Sequence, residues 1–300
     1  MITVLTPTFN RGYIIKKAYE SLLRQTDKDF EWLVIDDGST DNTEKIINSF
    51  IKDDLINVRY YKKENGGKHT ALNYGFEKAS GKYTIILDSD DYLADDAIEI
   101  IKSYIDKYED NNEIACLSFL RIYEDGKTVG REYNGDEIVS DYIEFKHNKG
   151  FTGDMAEVYK TKVLCDYPFP VFENERFLSE AIVWNKIALK YKTVFVNKGI
   201  YVCEYLNDGL SKNILINRIK SPVGSYENAK LFMNPKFKLS IRLKNSIIYT
   251  GFYLIAHKSN RGIFNDVPSR FLIILMYPGG LLFNWYLRFY FKKYGIDKNE

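Results

Sequence analysis

The sequence predicts an α/β protein: a mainly parallel, Rossmann-like sheet flanked by helices, followed by a helical C-terminal extension. Three observations predict it. Short apolar runs alternate with amphipathic segments from residue 2 to residue 110, the rhythm of strand–helix–strand units. The polar clusters of that region fall at the ends of the apolar runs, where an open parallel sheet holds its ligands. Strand patterns stop near residue 211, and the rest of the chain is helical, basic and aromatic.

Each element has its own signature. "ITVLTP" is a first strand, and "YIIKKAYESLLRQT" a helix with Ile14, Ala18 and Leu22, beside Ile15 and Leu23, on one face. "FEWLVIDD" is the second strand. "NTEKIINSFIK" is a helix with Asp41 as N-cap and Glu44 as its capping-box partner. "NVRYYKK", "KHTALNYGFEKAS", "KYTIILD" and "DDAIEIIKSYIDKYED" continue as strand, helix, strand and helix. The rhythm then changes. "EIACLSFLRIY" leads into "EDGKTVGREY", a hairpin turning at Asp125-Gly126. "DMAEVYKT" and "KTVFVNKGIYVCEYL" are strands on either side of the helix "LSEAIVWNKIALKY". Residues 1–211 are therefore expected to form one domain in two halves, 1–110 and 111–211, with 212–300 a separate helical region.

Composition narrows the setting. With 45% hydrophobic and 28% charged residues, a 300-residue chain buries a substantial core. The three cysteines, Cys116, Cys165 and Cys203, have neither metal-ligand spacing nor an even count for a disulfide framework, which points to a reducing, cytoplasmic setting. "MITVLTPTFNRGY" lacks the pattern of a signal peptide. The net charge of +1 conceals an asymmetry: residues 212–300 hold 15 Lys/Arg and 4 Asp/Glu, or +11, leaving 27 and 37, or −10, for residues 1–211. In the extension, "LSIRLKNSIIYTGFYLIAH" is helical. Pro278-Gly279-Gly280 is expected to break the next apolar stretch, so that neither half reaches the roughly 20 residues a membrane-spanning helix needs. Asn284, Arg288 and Lys292 form a narrow polar stripe on an otherwise apolar helix. Such a helix suits a membrane interface with its basic groups toward anionic head groups; the alternative is packing on the body or on a second subunit.

Four polar edges carry the chemistry: "TPTFNR" (Thr6 to Arg11), "DDGST" (Asp36 to Thr40), "KKENGGKH" (Lys62 to His69) and "DSDD" (Asp88 to Asp91). Asp88 and Asp90 stand two apart at a strand end, where both carboxylates can turn toward one hard divalent cation held jointly with substrate phosphates. The competing reading, a cap or a favourable charge at a helix N-terminus, is adopted for Asp95 and Asp96. An acid at the end of the second strand, Asp36 or Asp37, can accept hydrogen bonds from a ribose hydroxyl or a base N–H. Lys68 and His69 can meet a phosphate or a base. There is no G-x-G-x-x-G and no Walker sequence, which excludes ordinary dinucleotide and P-loop sites. Nothing indicates nucleic acid.

Together, "TVLTPTFNR", "FEWLVIDDGSTDNT", "ENGGKHTALNYGFEKASGKYTIILDSDDYL" and the later "RFLSEAIVWNKIA" resemble the family 2 glycosyltransferases. The resemblance implies a GT-A fold, a nucleotide-diphosphate sugar donor (uridine by default), Mn²⁺ or Mg²⁺, and inversion at the anomeric carbon. It makes 1–211 the GT-A catalytic domain, with a nucleotide-binding half and an acceptor half. Pro7 and Thr8 then lie beside the nucleotide and Asp37 faces the base; Lys68 and Ser89 are further candidates for substrate binding. Asp88 lies near the ribose or donor sugar, and Asp90 binds the metal. Glu180, placed by Trp184, takes the general-base position, although Ser179 and Glu180 depart from the family's usual acidic pair. Asp154 and Glu157 are secondary candidates for acceptor contacts, or alternative bases. The implied acceptor is a glycan or lipid-linked saccharide in cell-surface polysaccharide synthesis, at the cytoplasm or the inner membrane face. Two rivals exist: a non-catalytic, membrane-docking sugar-nucleotide binder, and a haloacid-dehalogenase-type phosphatase, whose nucleophile register would require an acid at Ile35.

Overall fold

The computed structural model describes residues 1–203 and 213–293. The chain divides into two compact units, Met1–Phe169 with Ile187–Leu206 and Pro170–Lys186 with Asn207–Glu300. The boundary expected at 211/212 lies outside the described residues.

The first unit is built on a nine-stranded sheet. Its strands are β1 (Ile2–Thr8), β2 (Phe30–Asp36), β3 (Val58–Lys62), β4 (Tyr83–Ile86), β5 (Tyr92–Leu93), β6 (Ile114–Ile122), β7 (Glu137–Ser140), β8 (Met155–Lys160) and β9 (Lys192–Val202). The order is β3-β2-β1-β4-β8-β6-β9-β5, with β7 also on β9. β1 to β4 are parallel; β8 inverts the direction against both β4 and β6, and β9 returns parallel to β6. β1 and β2 are buried at every residue, the pattern of parallel strands covered on both faces. Alternation sorts the helices. Val4, Trp32 and Ile85 share a core with α1 (Lys16–Arg24), α2 (Thr43–Asp53) and α4 (Ala97–Tyr108). The alternate residues Leu5 and Ile35 meet α3 (Lys68–Lys78), whose Gly75 lies so close that a Cβ there would stand 2.5 Å from Leu5. A short helix, α5 (Thr161–Asp166), follows β8.

One local expectation changes, and two others are met with added detail. The capping box at α2 does not form: Asn42 holds the cap position, Asp41 bonds Thr43 and the Gly12 amide, and Glu44 is drawn away by Lys62 at 2.9 Å. α4 starts only after β5, so Asp90 and Asp91 cap nothing; Asp96 holds the cap position without a side-chain bond, and Asp95 pairs with Arg24. The Asp125-Gly126 turn is present, but β9 gains β7 as a further partner, and a π-helix at Ile143–Asn148 precedes β8.

The second unit gathers residues 170–186, which include the first turns of α6 (Ala181–Ala188), with α7 (Ile214–Lys220), α8 (Pro222–Leu231), α9 (Leu239–His257) and α10 (Arg270–Lys293). Glu175 accepts hydrogen bonds from the Val223 and Gly224 amides at 2.7 and 2.8 Å, tying the segment before α6 to the first turn of α8. α10 runs unbroken through Pro278 for 24 residues, contrary to the expected interruption. Its glycines explain this. A Cβ on Gly280 would sit 2.5 Å from Thr250, and one on Gly251 would sit 2.4 Å from Phe283, so α9 and α10 approach closely enough for packing to outweigh the cost of about 3 kcal/mol for an interior proline. By length and composition α10 is apolar enough to cross a membrane, with a mean hydropathy of 1.2. Of its polar stripe, Asn284 is buried and Arg288 reaches back to α9, while Lys292 is exposed. Asn284 Nδ2 donates to the Gly251 carbonyl at 2.9 Å, and Arg288 donates to Asn284 Oδ1 and to the Leu254 carbonyl.

Candidate active site

The C-terminal ends of β1, β2 and β4 lie side by side, because β1 pairs with both of the others. Pro7 and Thr8 end β1. Proline has no N–H to give, and the Thr8 hydroxyl is buried without a hydrogen-bond partner among the described residues. The two acids that end β2 differ in use. Asp36 is spent on the scaffold, accepting from the Ser39 amide at 2.6 Å and the Tyr60 hydroxyl at 2.7 Å. Asp37 organises the glycine loop: Lys63 Nζ and the Gly66 amide donate to Oδ1, and the Gly67 amide donates to Oδ2 at 2.7 Å. The loop thereby delivers Lys68, the first residue of α3, to Asp88. His69 is buried, and that burial holds its imidazole below the ordinary value.

Asp88 to Asp91 form a turn between β4 and β5, closed by the Asp91 amide donating to the Asp88 carbonyl at 3.1 Å. The carboxylates are unequal. Burial would raise Asp88, but the Lys68 and Arg121 charges overcome it and hold Asp88 below the usual range. Asp90 is raised, first by burial and then by the charge of Asp88, and has no ion-pair partner among the described residues. Burial and Asp88 push Asp91 up to about 7, against a 2.8 Å hydrogen bond from the Tyr201 hydroxyl and the charge of Arg121. Ser89 is buried between these acids.

Arg121 and Tyr201 were not anticipated as site residues. Arg121 lies 4.2 Å from the Tyr201 ring centroid, 3.9 Å from Asp88 and 3.8 Å from Asp91, with Nε donating to the Met155 carbonyl. A sequence signal existed: one arginine inside the buried run "CLSFLRI" needs a buried anion. Nearby on β8, Glu157 accepts from the Tyr142 hydroxyl at 3.3 Å. Lys146, on the π-helix, is lowered by burial although Glu157 and Asp154 oppose this. Asp154 itself is exposed. Glu180 belongs to the second unit and opens α6, its carbonyl accepting from the Val183 and Trp184 amides.

The family implies a divalent cation, and the residues fit one. Asp90 combines an unpaired carboxylate with repulsion from Asp88, which a cation relieves. Among the described residues no three His, Cys, Asp or Glu converge as a complete protein cage. One or two carboxylates is the number with which Mg²⁺ or Mn²⁺ is held when phosphate oxygens and water complete the shell.

The profile described as "Glycosyl transferase family 2" matches residues 3–171. The chain belongs to the family 2 glycosyltransferases. It is 37% identical over 214 residues to an uncharacterized glycosyltransferase of Rickettsia felis, covering 66% of this chain but 32% of that protein. It is 28% identical over 243 residues to the GalNAc(5)-diNAcBac-PP-undecaprenol beta-1,3-glucosyltransferase of Campylobacter jejuni, covering 78% and 74% of the two chains. Among solved structures, residues 1–349 of S. aureus TarS in complex with UDP-GlcNAc superpose with a TM-score of 0.63 at 18% identity, covering 94% of this chain and 79% of that one. The mannosyltransferase PcManGT from Pyrobaculum calidifontis, with GDP-Man and Mn²⁺, gives 0.58 at 17%, covering 96% and 83%. These likenesses show that the fold is GT-A.

Proposed function

We propose that the chain is an inverting, metal-dependent glycosyltransferase. It moves a sugar from a nucleotide-diphosphate donor, by default a UDP-sugar, to a glycan or lipid-linked saccharide. The observation that carries this reading is the unpaired, repelled carboxylate of Asp90 on the same sheet rim as the unsatisfied hydroxyl of Thr8. The UDP-GlcNAc held by the TarS fragment supports the donor class, and the Campylobacter relative's undecaprenol-linked saccharide supports the acceptor class. An acceptor of that class would place the enzyme in cell-surface polysaccharide synthesis. The enzyme works in the cytoplasm, peripheral to the inner membrane face through its C-terminal region.

In the reaction, the bond from the anomeric carbon to the donor diphosphate breaks as an acceptor hydroxyl oxygen bonds to that carbon from the opposite face. Asp90 would hold a Mn²⁺ or Mg²⁺ ion, which when bound would supply charge neutralisation to the departing diphosphate. Pro7 and Thr8 flank the nucleotide and Asp37 faces the base while fixing the glycine loop. Lys68 and Ser89 contact the donor, and Asp88, relieved of repulsion by Lys68 and Arg121, orients the ribose or sugar. Glu180 takes the acceptor proton, a contribution typically of about 10²–10⁴ in rate. A panel of nucleotide sugars assayed for donor hydrolysis with Mn²⁺ tests the reading. One sugar nucleotide hydrolysed far above the rest supports it; no hydrolysis of any, with no binding of UDP, refutes it.

A further inference from the structure

We propose that the outward face of α10 docks onto an anionic lipid bilayer, with the helix lying along the interface plane rather than crossing it. This deepens the peripheral-membrane reading above and rests on it, but not on sugar transfer. Phe271, Ile274, Leu275, Leu282, Trp285 and Phe289 share one arc of the helix and are 55–70% exposed. From Phe271 to Phe289 the strip is about 27 Å long at 1.5 Å per residue. No charged residue interrupts it, since those of α10 are Arg270 at one end and Arg288, Lys292 and Lys293 at the other.

The apolar surface of this helix extends to both sides. A water-facing helix turns its apolar stripe inward; α10 buries Leu272, Ile273 and Leu287, sends Asn284 and Arg288 to carbonyls of α9, and still leaves aromatic and aliphatic side chains outside. A continuous apolar surface of this length marks an interaction site. Charge selects the occupant. α10 carries no acidic residue, and residues 212–300 hold 15 Lys/Arg against 4 Asp/Glu. A second copy of the same face would bring these cations against one another, whereas anionic head groups attract them. Trp285 and the neighbouring Tyr286 have the amphipathic rings that settle at head-group level.

The partner helix decides orientation. α9 packs along the inner side of α10 and carries Arg242 and Lys244. If α10 crossed the bilayer, α9 would carry those charges into hydrocarbon; lying flat, α10 buries only its outer arc.

The protein supplies its own probe. Of the three tryptophans, Trp32 and Trp184 are buried and Trp285 is 69% exposed. The full chain is mixed with vesicles of phosphatidylcholine, with and without phosphatidylglycerol, with neither donor nor acceptor present. Expected are flotation with the anionic vesicles, a blue shift of emission, and quenching that is strongest with bromine near the head groups. Leu282→Ser with Phe289→Ser should weaken binding by about tenfold or more, and Lys292→Gln with Lys293→Gln should remove the preference for anionic lipid, both leaving donor hydrolysis unchanged. Strongest quenching by bromine at the bilayer centre overturns the in-plane orientation. Failure of the wild type to float overturns the docking surface; a stable dimer that the Leu282 and Phe289 changes dissociate would then identify the face as a subunit interface. Donor hydrolysis that persists alongside failed flotation leaves the transferase reading intact.

Discussion

Asp90 and Asp88 stand two positions apart on the same turn and have opposite environments. Asp88 is compensated by Lys68 and Arg121; Asp90 forms no ion pair among the described residues, and burial and the charge of Asp88 outweigh the more distant Arg11 and Lys68. Asp90→Ala should therefore lower Mn²⁺-dependent transfer by about 10²–10³-fold while thermal stability holds or rises, because the substitution removes a buried carboxylate repelled by Asp88; turnover against Mn²⁺ concentration and a melting curve check both. Glu180→Gln should retain donor affinity by titration yet lose most of its turnover, and near-normal turnover would place the base elsewhere. Arg121→Met leaves Asp88 and Asp91 without their shared cation and should destabilise the fold by about 3–5 kcal/mol, read by denaturant unfolding. The acids were legible in the sequence because a run of carboxylates after an apolar strand has few physical explanations. The run around Arg121 signals a buried anion, but which acids and Tyr201 it meets was not legible, because these partners lie 30 to 113 residues away and only the sheet order β8-β6-β9 brings them to the same rim.

Among elements, the β1–β2–β3 edge is fastened by one buried acid. Glu31, 1% exposed, accepts from Thr3 Oγ1, Arg59 Nη1 and the Ser80 amide at 2.6–2.7 Å. Burial alone would raise its carboxyl, but these three donors outweigh burial and hold it below the ordinary 4.5. Its stabilisation is thus complete above that ordinary value and is lost as pH falls from there through the lowered one. Glu31→Gln should cost about 3 kcal/mol at neutral pH and flatten the acid limb of the stability curve, seen in urea unfolding at several pH values. Between α9 and α10 the contact depends on absent side chains. Gly280→Val should press on Thr250 and cost about 1–3 kcal/mol, measurable by thermal unfolding. The longer elements were readable from periodicity alone, whereas the short β5, β7 and α5 were not. The terminations of the longer elements were less legible: Lys62 took Glu44 from its capping box, and the glycine contact with α9 carried α10 through Pro278.

For the molecule as a whole, the parallel arrangement of β1 to β4 was legible because strand–helix alternation leaves little topological choice. The inverted second half was not, because antiparallel β8 and the β7–β9 pairing depend on contacts between segments remote in sequence. The division into units also escapes local reading. Residues 170–186, embedded among sheet-forming segments, join the C-terminal helices through Glu175 and the first turn of α8. The proposed chemistry depends on the rim formed by β1, β2 and β4 seating a nucleotide diphosphate through a cation at Asp90. Anomalous scattering from a crystal grown with UDP and Mn²⁺ decides whether it does. One manganese peak is expected at a coordination distance of roughly 2.0–2.6 Å from the Asp90 carboxylate, with the diphosphate beside it and the nucleoside near Thr8. Manganese bound elsewhere, with this rim empty of UDP, would overturn the assignment.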